Sequence, residues 1–263
     1  MKDLIEEVFG QSRLDPNEIA RETMRTPLRK RFYQLASVVE AQGGYGVELD
    51  GRGLRTPAKA PLVAPNAAIA QAIADEWNAQ GEEINPASMP LTRLANSIID
   101  GVASRSKDVA AEIVKYAGSD LVFYRADTPE ALVARQSATW NPVIAWADAR
   151  FHGRFILAEG IHHVAQPQTA LDAIAQAVPE NAWALGALHL ATTLTGSALL
   201  ALALAAGKLD AAQVWHAAHV DEDWNFEIWG ADEAVLARRA ARFADFEAAS
   251  LILRLFPLAD RAG

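Results

Sequence analysis

The spacing of apolar and polar positions divides the chain into two textures. Between Arg31 and about Pro65 the period is close to two. Phe32-Tyr33-Gln34-Leu35-Ala36-Ser37-Val38-Val39 is rich in strand formers, Gln42-Gly43-Gly44 supplies a hairpin turn, and Tyr45-Gly46-Val47-Glu48-Leu49 comes next. Asp50-Gly51 marks a second tight turn before Leu54-Arg55-Thr56-Pro57 and Pro61-Leu62-Val63. This predicts a small antiparallel sheet of about three to five strands, which must close on itself or pack on later elements of the chain to be stable. After Pro65 the period becomes helical. Asn66 can cap a helix whose stripe is Ile69, Ala70, Ile73, Ala74 and Trp77, with Gly81 as its stop. Ser88 can cap a second, with Leu91, Leu94, Ala95, Ile98 and Ile99 along one side, and a third carries Val109, Ile113 and Tyr116 before Gly118. Thr128-Pro129-Glu130 opens a fourth, which Pro142 either kinks or restarts. The pattern lapses between Phe151 and Pro167, where Phe155-Ile156-Leu157 reads as a strand returning to the sheet. Helices resume at Gln168; Asp210 caps a run through Ile228, and Asp232 caps the last helix. The predicted fold class is α+β: a polar lead-in and small antiparallel β domain over residues 1–65, then an α-helical domain over 66–263. Within the lead-in, Asp15-Pro16-Asn17-Glu18 has the capping pattern of a short helix.

One apolar stretch tests this assignment. Ala182 to Gly207 carries no charge and is long enough to span a bilayer. It contains His189, Thr192, Thr193, Thr195 and Ser197, and its flanks, Glu180 and Lys208, form no basic cluster. It is therefore expected to be a buried core helix, or two helices meeting near Gly196. Met1 to Gly10 alternates acids with Leu4, Ile5, Val8 and Phe9, unlike a signal or transit peptide, so the expected location is cytoplasmic.

Composition narrows the chemistry. The chain of 263 residues has no cysteine, which removes thiolate nucleophiles, disulfides and cysteine-ligated metals. Its formal net charge of −9 argues against a nucleic-acid partner. There is no phosphate-binding glycine loop before a helix and no nucleophile elbow. The candidate metal cluster is His216, His219 and Asp223, which would share a face if one helix ran through them; on that arrangement a metal-dependent hydrolase or oxidase is the alternative function. Glu159-Gly160-Ile161-His162 matches a di-iron E-x-x-H spacing but sits where helical periodicity lapses. Arg25, Arg29, Lys30 and Arg31 form a basic run that is either a solvated lead-in or a contact for an acidic partner surface.

Two segments combine indoles with acids. One is Asp75-Glu76-Trp77-Asn78-Ala79-Gln80, continuing to Met89-Pro90-Leu91-Thr92-Arg93-Leu94. The other, Asp221 to Glu233, holds Asp221, Glu222, Asp223, Trp224, Glu227, Trp229, Asp232 and Glu233. Aromatic anchors within a charged rim are the composition of a protein-recognition patch; buried indoles beside solvated acids give the same composition.

With Lys30-Arg31-Phe32-Tyr33, Val47-Glu48-Leu49-Asp50-Gly51-Arg52, Leu54-Arg55-Thr56-Pro57, Ser119-Asp120-Leu121, Tyr124-Arg125 and Trp229-Gly230-Ala231-Asp232-Glu233, these segments resemble, in order along residues 30 to 250, the F1-ATPase assembly chaperones that attend the alpha subunit of ATP synthase. The resemblance implies a non-enzymatic holding function: binding the unassembled alpha subunit, without a cofactor, and preventing its aggregation before the hexamer forms. It also implies a small β domain followed by a helical one, and a bacterial cytoplasmic version of the family rather than a mitochondrial one; the chain is expected to be a monomer. Carried over residue by residue, Glu233 is the first partner-binding candidate, with Asp232, Trp229, Glu222 and Trp77 beside it. Glu233 is also placed to favour a helix N-terminus, and Trp77 to pack along its own helix stripe.

Overall fold

The computed structural model describes residues 28–160 and 163–258. The fold class is α+β, in two compact units that divide between Arg105 and Ser106. The lead-in helix expected near Asp15 lies outside the described residues, as do Arg25, Ile161 and His162.

Among the described residues the first unit opens with strand β1 (Arg29–Lys30), followed by the β2 (Ala36–Ala41) and β3 (Gly44–Leu49) hairpin. Short strands β4 (Arg52–Gly53) and β5 (Val63–Ala64) both pair with β3 on the edge away from β2, making a four-stranded antiparallel sheet. The β2–β3 turn requires Gly44, because a Cβ there would collide with the carbonyl of Ala64. At the next turn the Asp50 carboxylate accepts the N–H groups of Gln34 and Leu35 at 2.9 Å each, and these bonds hold it below the usual aspartate range.

Helix α1 (Ala67–Asn78) lays Ile69, Ala70, Ile73 and Ala74 on this sheet, and the Asn66 side chain caps it by accepting from the Ile69 N–H at 3.0 Å. Each buried isoleucine contributes about 1.5–3 kcal/mol. The helix ends at Asn78, short of Gly81. Strand β6 (Glu83–Ile84) returns antiparallel to β1, and helix α2 (Pro90–Asp100) packs against α1 through Leu91, Leu94, Ala95 and Ile98. The compact unit thus extends forty residues beyond the boundary read at residue 65. The reason is physical: α1 supplies the second layer that a small sheet needs, and α2 packs on α1. Ser88 does not cap α2. Its hydroxyl donates to the Asn85 carbonyl, within a 3₁₀ turn over Pro86–Ser88.

The second unit is helical. Helix α3 (Ser106–Ala117) buries Val109 and Ile113, and strand β7 (Tyr124–Arg125) follows a 3₁₀ turn. Helix α4 (Glu130–Arg150) runs through Pro142 without ending. Phe155-Ile156-Leu157 does not rejoin the N-terminal sheet; the next residues form β8 (Ala158–Glu159), which pairs in parallel with β7 inside this unit. After α5 (Gln168–Ala177), the uncharged stretch becomes α6 (Ala182–Thr195) and α7 (Ala198–Ala205), separated by Gly196 in the left-handed region and by Ser197, whose side chain accepts from the Leu200 N–H. Among the described residues no helix is long and apolar enough to cross a membrane. Instead α6, packed against α3 and α7, is the centre of the helical core.

The run from Asp210 is two helices, α8 (Ala211–Ala218) and α9 (Val220–Trp229), broken at His219. The His219 imidazole Nδ1 meets the Trp215 carbonyl at 2.7 Å, the oxygen that the His219 N–H itself would use in a continuous helix; that N–H turns instead to the His216 carbonyl at 3.1 Å. The last helix, α10 (Glu233–Leu255), is capped by the Asp232 side chain, which accepts from Ala234 at 2.7 Å. Its C-terminal half buries Phe246, Ala249, Ile252 and Leu253, and the helix packs against α6, whereas most of its first three turns are exposed.

Candidate protein-binding site

The two indole–acid segments have different fates. In the first unit every polar side chain of Glu76, Asn78 and Gln80 is bound to another part of the same unit. The Glu76 carboxylate accepts the N–H groups of Leu91 and Thr92 and the Thr92 hydroxyl, all at 2.7 Å, and so caps α2 from outside that helix. Burial pushes its pKa up while these bonds and Arg93 pull it down; the net direction is up. The Asn78 amide takes the Ala36 N–H at 2.8 Å and donates to the Ala36 carbonyl at 2.9 Å. The Gln80 carbonyl oxygen accepts from Asn85 at 2.7 Å. Trp77 is half-buried, edge-on to Tyr33 with ring centroids 5.5 Å apart, and its main-chain carbonyl accepts the Tyr33 hydroxyl at 2.7 Å. Arg31 joins this bracket: its guanidinium donates to the carbonyls of Tyr33, Gln34, Asn78 and Gln80. Arg31 is thus neither a solvated lead-in charge nor a free contact for an acidic partner.

In the second unit the acidic segment splits by role. Asp221 accepts from Gln136 at 2.7 Å, and Glu227 makes two 2.7 Å bonds with Arg135, whose guanidinium lies 5.2 Å from the Trp224 ring centre. Asp223 receives Arg239 at 2.6 Å, and Arg239 also lies over the Phe226 ring. These four residues, Asp221, Asp223, Trp224 and Glu227, join α9 to its neighbours. Glu222, Trp229, Asp232 and Glu233 are exposed, Asp232 while capping α10. Glu222 meets His219 at 3.8 Å, and Trp229 is 83% exposed.

The α9–α10 corner presents this exposed set. The α9 helix ends with Gly230 at φ 77 and ψ 173, a conformation that side chains disfavour, and Asp232 then starts α10. Ile228 and Leu236, 50% and 48% exposed, are further exposed apolar side chains of these two helices. Sequence periodicity missed these two; the available signal was an Ile-Trp pair ending an acidic helix. Glu233 occupies the first turn of α10, where the helix dipole favours a carboxylate, and is exposed. The corner offers apolar anchors with carboxylates at their edge, an arrangement suited to binding another protein.

The metal arrangement does not form. His216 Nδ1 lies 3.4 Å from an Asp223 oxygen whose partner oxygen is held by Arg239. His219 is buried against Trp215 at 4.1 Å between ring centres, its Nδ1 is engaged, and burial lowers its pKa. Among the described residues no three His, Asp or Glu side chains converge on a metal position. Glu159 lies in β8, not on a bundle helix.

Comparison with known proteins places this geometry in a family. Residues 30–148 match the model of the ATP12 chaperone protein family. The structure superposes on the Atu1473 protein of Agrobacterium tumefaciens, a putative chaperone, with a TM-score of 0.83 and 48% sequence identity, covering 97% of this chain and 96% of that one. It is also similar to Atp12 from Paracoccus denitrificans, with a TM-score of 0.80 and 40% identity over 87% of this chain and 98% of that one, and to a point mutant of that protein at 39% identity. From the matched residues and this similarity over nearly the whole of the Paracoccus protein, the chain belongs to the ATP12 chaperone family.

Proposed function

We propose that this chain is an assembly chaperone for the F1 sector of ATP synthase that binds the unassembled alpha subunit and keeps it from aggregating until beta subunits cover it. Membership of a chaperone family supports a holding function and points away from catalysis. The observation that carries the proposal is the α9–α10 corner, where Trp229, Ile228 and Leu236 are exposed beside Asp232 and Glu233. An orphan subunit of an obligate complex exposes apolar surface that aggregates, and a holder must cover it without energy input and then yield to a partner that buries more area. A few exposed aromatic and aliphatic anchors give that intermediate affinity, and the neighbouring carboxylates set orientation.

In this proposal Trp229 and Glu233 are the central contacts, with Asp232 and Glu222 at the margin, and Trp77 serves the first unit's packing. The chaperone acts as a cytoplasmic monomer and needs no cofactor. The test mixes the purified chain with isolated F1 alpha subunit at low micromolar concentration, following light scattering and size-exclusion mass. A one-to-one peak with suppressed scattering supports the proposal. Two separate peaks and unchanged scattering, with a folded alpha control, reject it.

A further inference from the structure

The second feature able to hold a client is the free edge of the N-terminal sheet. The hairpin pairs Ala41 with Gly44, Val39 with Gly46 and Ser37 with Glu48, around a two-residue turn. In an antiparallel ladder only alternate residues exchange hydrogen bonds with the neighbouring strand. The pair flanking a two-residue turn is a bonded one, so Ala41, Val39 and Ser37 bond to β3. Ala36, Val38 and Glu40 therefore turn their N–H and C=O groups outward, away from the sheet. The Asn78 amide confirms this phase: it closes on the outward N–H and C=O of Ala36 as a neighbouring strand would. Beyond Asn78, no hydrogen bond among the described residues reaches the N–H or C=O of Val38 or Glu40.

Proteins normally protect such an edge with lysine, proline, a bulge or a covering segment. The β2 sequence Ala-Ser-Val-Val-Glu-Ala has no lysine or proline, its pairing with β3 is unbroken, and Val38 and Val39 are only half-buried. The one charged side chain is Glu40, which is exposed and forms no ion pair among the described residues. We infer that this edge binds an extended segment of the unassembled client as an added strand. The segment places an apolar residue beside Val38 and a lysine or arginine beside Glu40, and Asn78 limits how far the pairing runs. Main-chain bonding of this kind is tolerant of sequence, and the carboxylate supplies its charge preference.

The inference rests on the proposed chaperone function, and residue-resolved amide exchange with isolated F1 alpha subunit separates the two. In the free chain Val39 and Ala41 are expected to exchange slowly and Val38 and Glu40 quickly. At saturating client, Val38 and Glu40 slow by about tenfold or more while Val39 changes little. Val38→Pro deletes one outward N–H and leaves the β2–β3 bonds intact, since proline is accepted at a strand edge. It should weaken the complex about tenfold, whereas Val38→Ala, which keeps the N–H, stays within about threefold. Slow exchange at Val39 and Ala41 in the proline variant verifies its hairpin, and Glu40→Pro is the second variant should that hairpin be lost. A complex that leaves Val38 and Glu40 exchanging freely overturns the inference and leaves the chaperone function standing. Protection already present in the free chain assigns the edge to its own residues, and concentration-dependent protection assigns it to a second copy; either overturns the inference. No complex at all rejects both.

Discussion

At position 229 an indole stands 83% exposed while other aromatic rings of the same unit, Trp215 and Phe246, are buried. That contrast makes Trp229 the residue whose removal separates binding from folding. Trp229→Ala is expected to leave the melting temperature nearly unchanged and to weaken the alpha-subunit complex by about 2 kcal/mol, roughly thirtyfold in Kd, measured by titration calorimetry. Glu76 is the opposite case. Its carboxylate takes three 2.7 Å bonds at the start of α2, and Glu76→Gln would turn an amide N–H toward those donors. The expected cost is about 1–3 kcal/mol of stability by urea unfolding, with client binding altered only through the unfolded fraction. Of the residues singled out from sequence, Trp77 and Trp229 look alike locally, each an indole close to acids. Only the side chains that approach from elsewhere distinguish them: Tyr33 reaches Trp77, and no ring stacks on Trp229 among the described residues.

At the level of elements, the α9–α10 corner depends on Gly230 and Arg239. A Cβ at Gly230 would meet nothing within 4 Å, so the cost of Gly230→Ala is purely that of its backbone conformation. We expect a loss of about 1–2 kcal/mol in stability, or a shifted corner with weaker client binding if the chain relaxes instead; thermal melts and the binding titration together read both. Arg239 ties α10 to Asp223 and Phe226 of α9. Arg239→Ala is expected to weaken client binding severalfold, since it loosens the frame on which Trp229 and Glu233 are held apart. Element ends were legible where the cap is local, as with Asn66 and Asp232. They were not legible where the cap comes from another element. Glu76 takes the place read for Ser88, and the His219 side chain ends α8 by occupying the Trp215 carbonyl.

For the whole molecule, the most consequential buried charge is Asp120. Its carboxylate accepts from Val122 at 3.2 Å and from Leu199 at 2.9 Å, linking the segment after α3 to the start of α7. Burial raises its pKa to about 6, against the pull of its bonds to Ser197, Leu199, Val122 and Ala198. The folded state then holds this proton more tightly than the unfolded one, so between about pH 4 and 6 the contribution of Asp120 to stability falls as pH rises. The unfolding free energy of the wild type relative to that of Asp120→Asn should rise on acidification from pH 7 to pH 4, by up to about 3 kcal/mol. A difference independent of pH would show that the carboxylate titrates normally.

Periodicity and local caps were enough to determine the α+β class, the order of most helices and the burial of the uncharged stretch, because these depend on residues within a turn or two of each other. The resemblance to a chaperone family rested on the same short segments. Tertiary structure decided where the first unit ends, since a sheet of short strands is completed by helices that come after it in sequence. It also decided which acids and indoles hold the fold and which face outward. Asp223 and Glu233 are equivalent in sequence chemistry. Asp223 is met by Arg239 and His216, and Glu233 stays exposed at the head of α10, because the packing of α4, α8 and α10 around α9 brings partners to one and leaves the other in water.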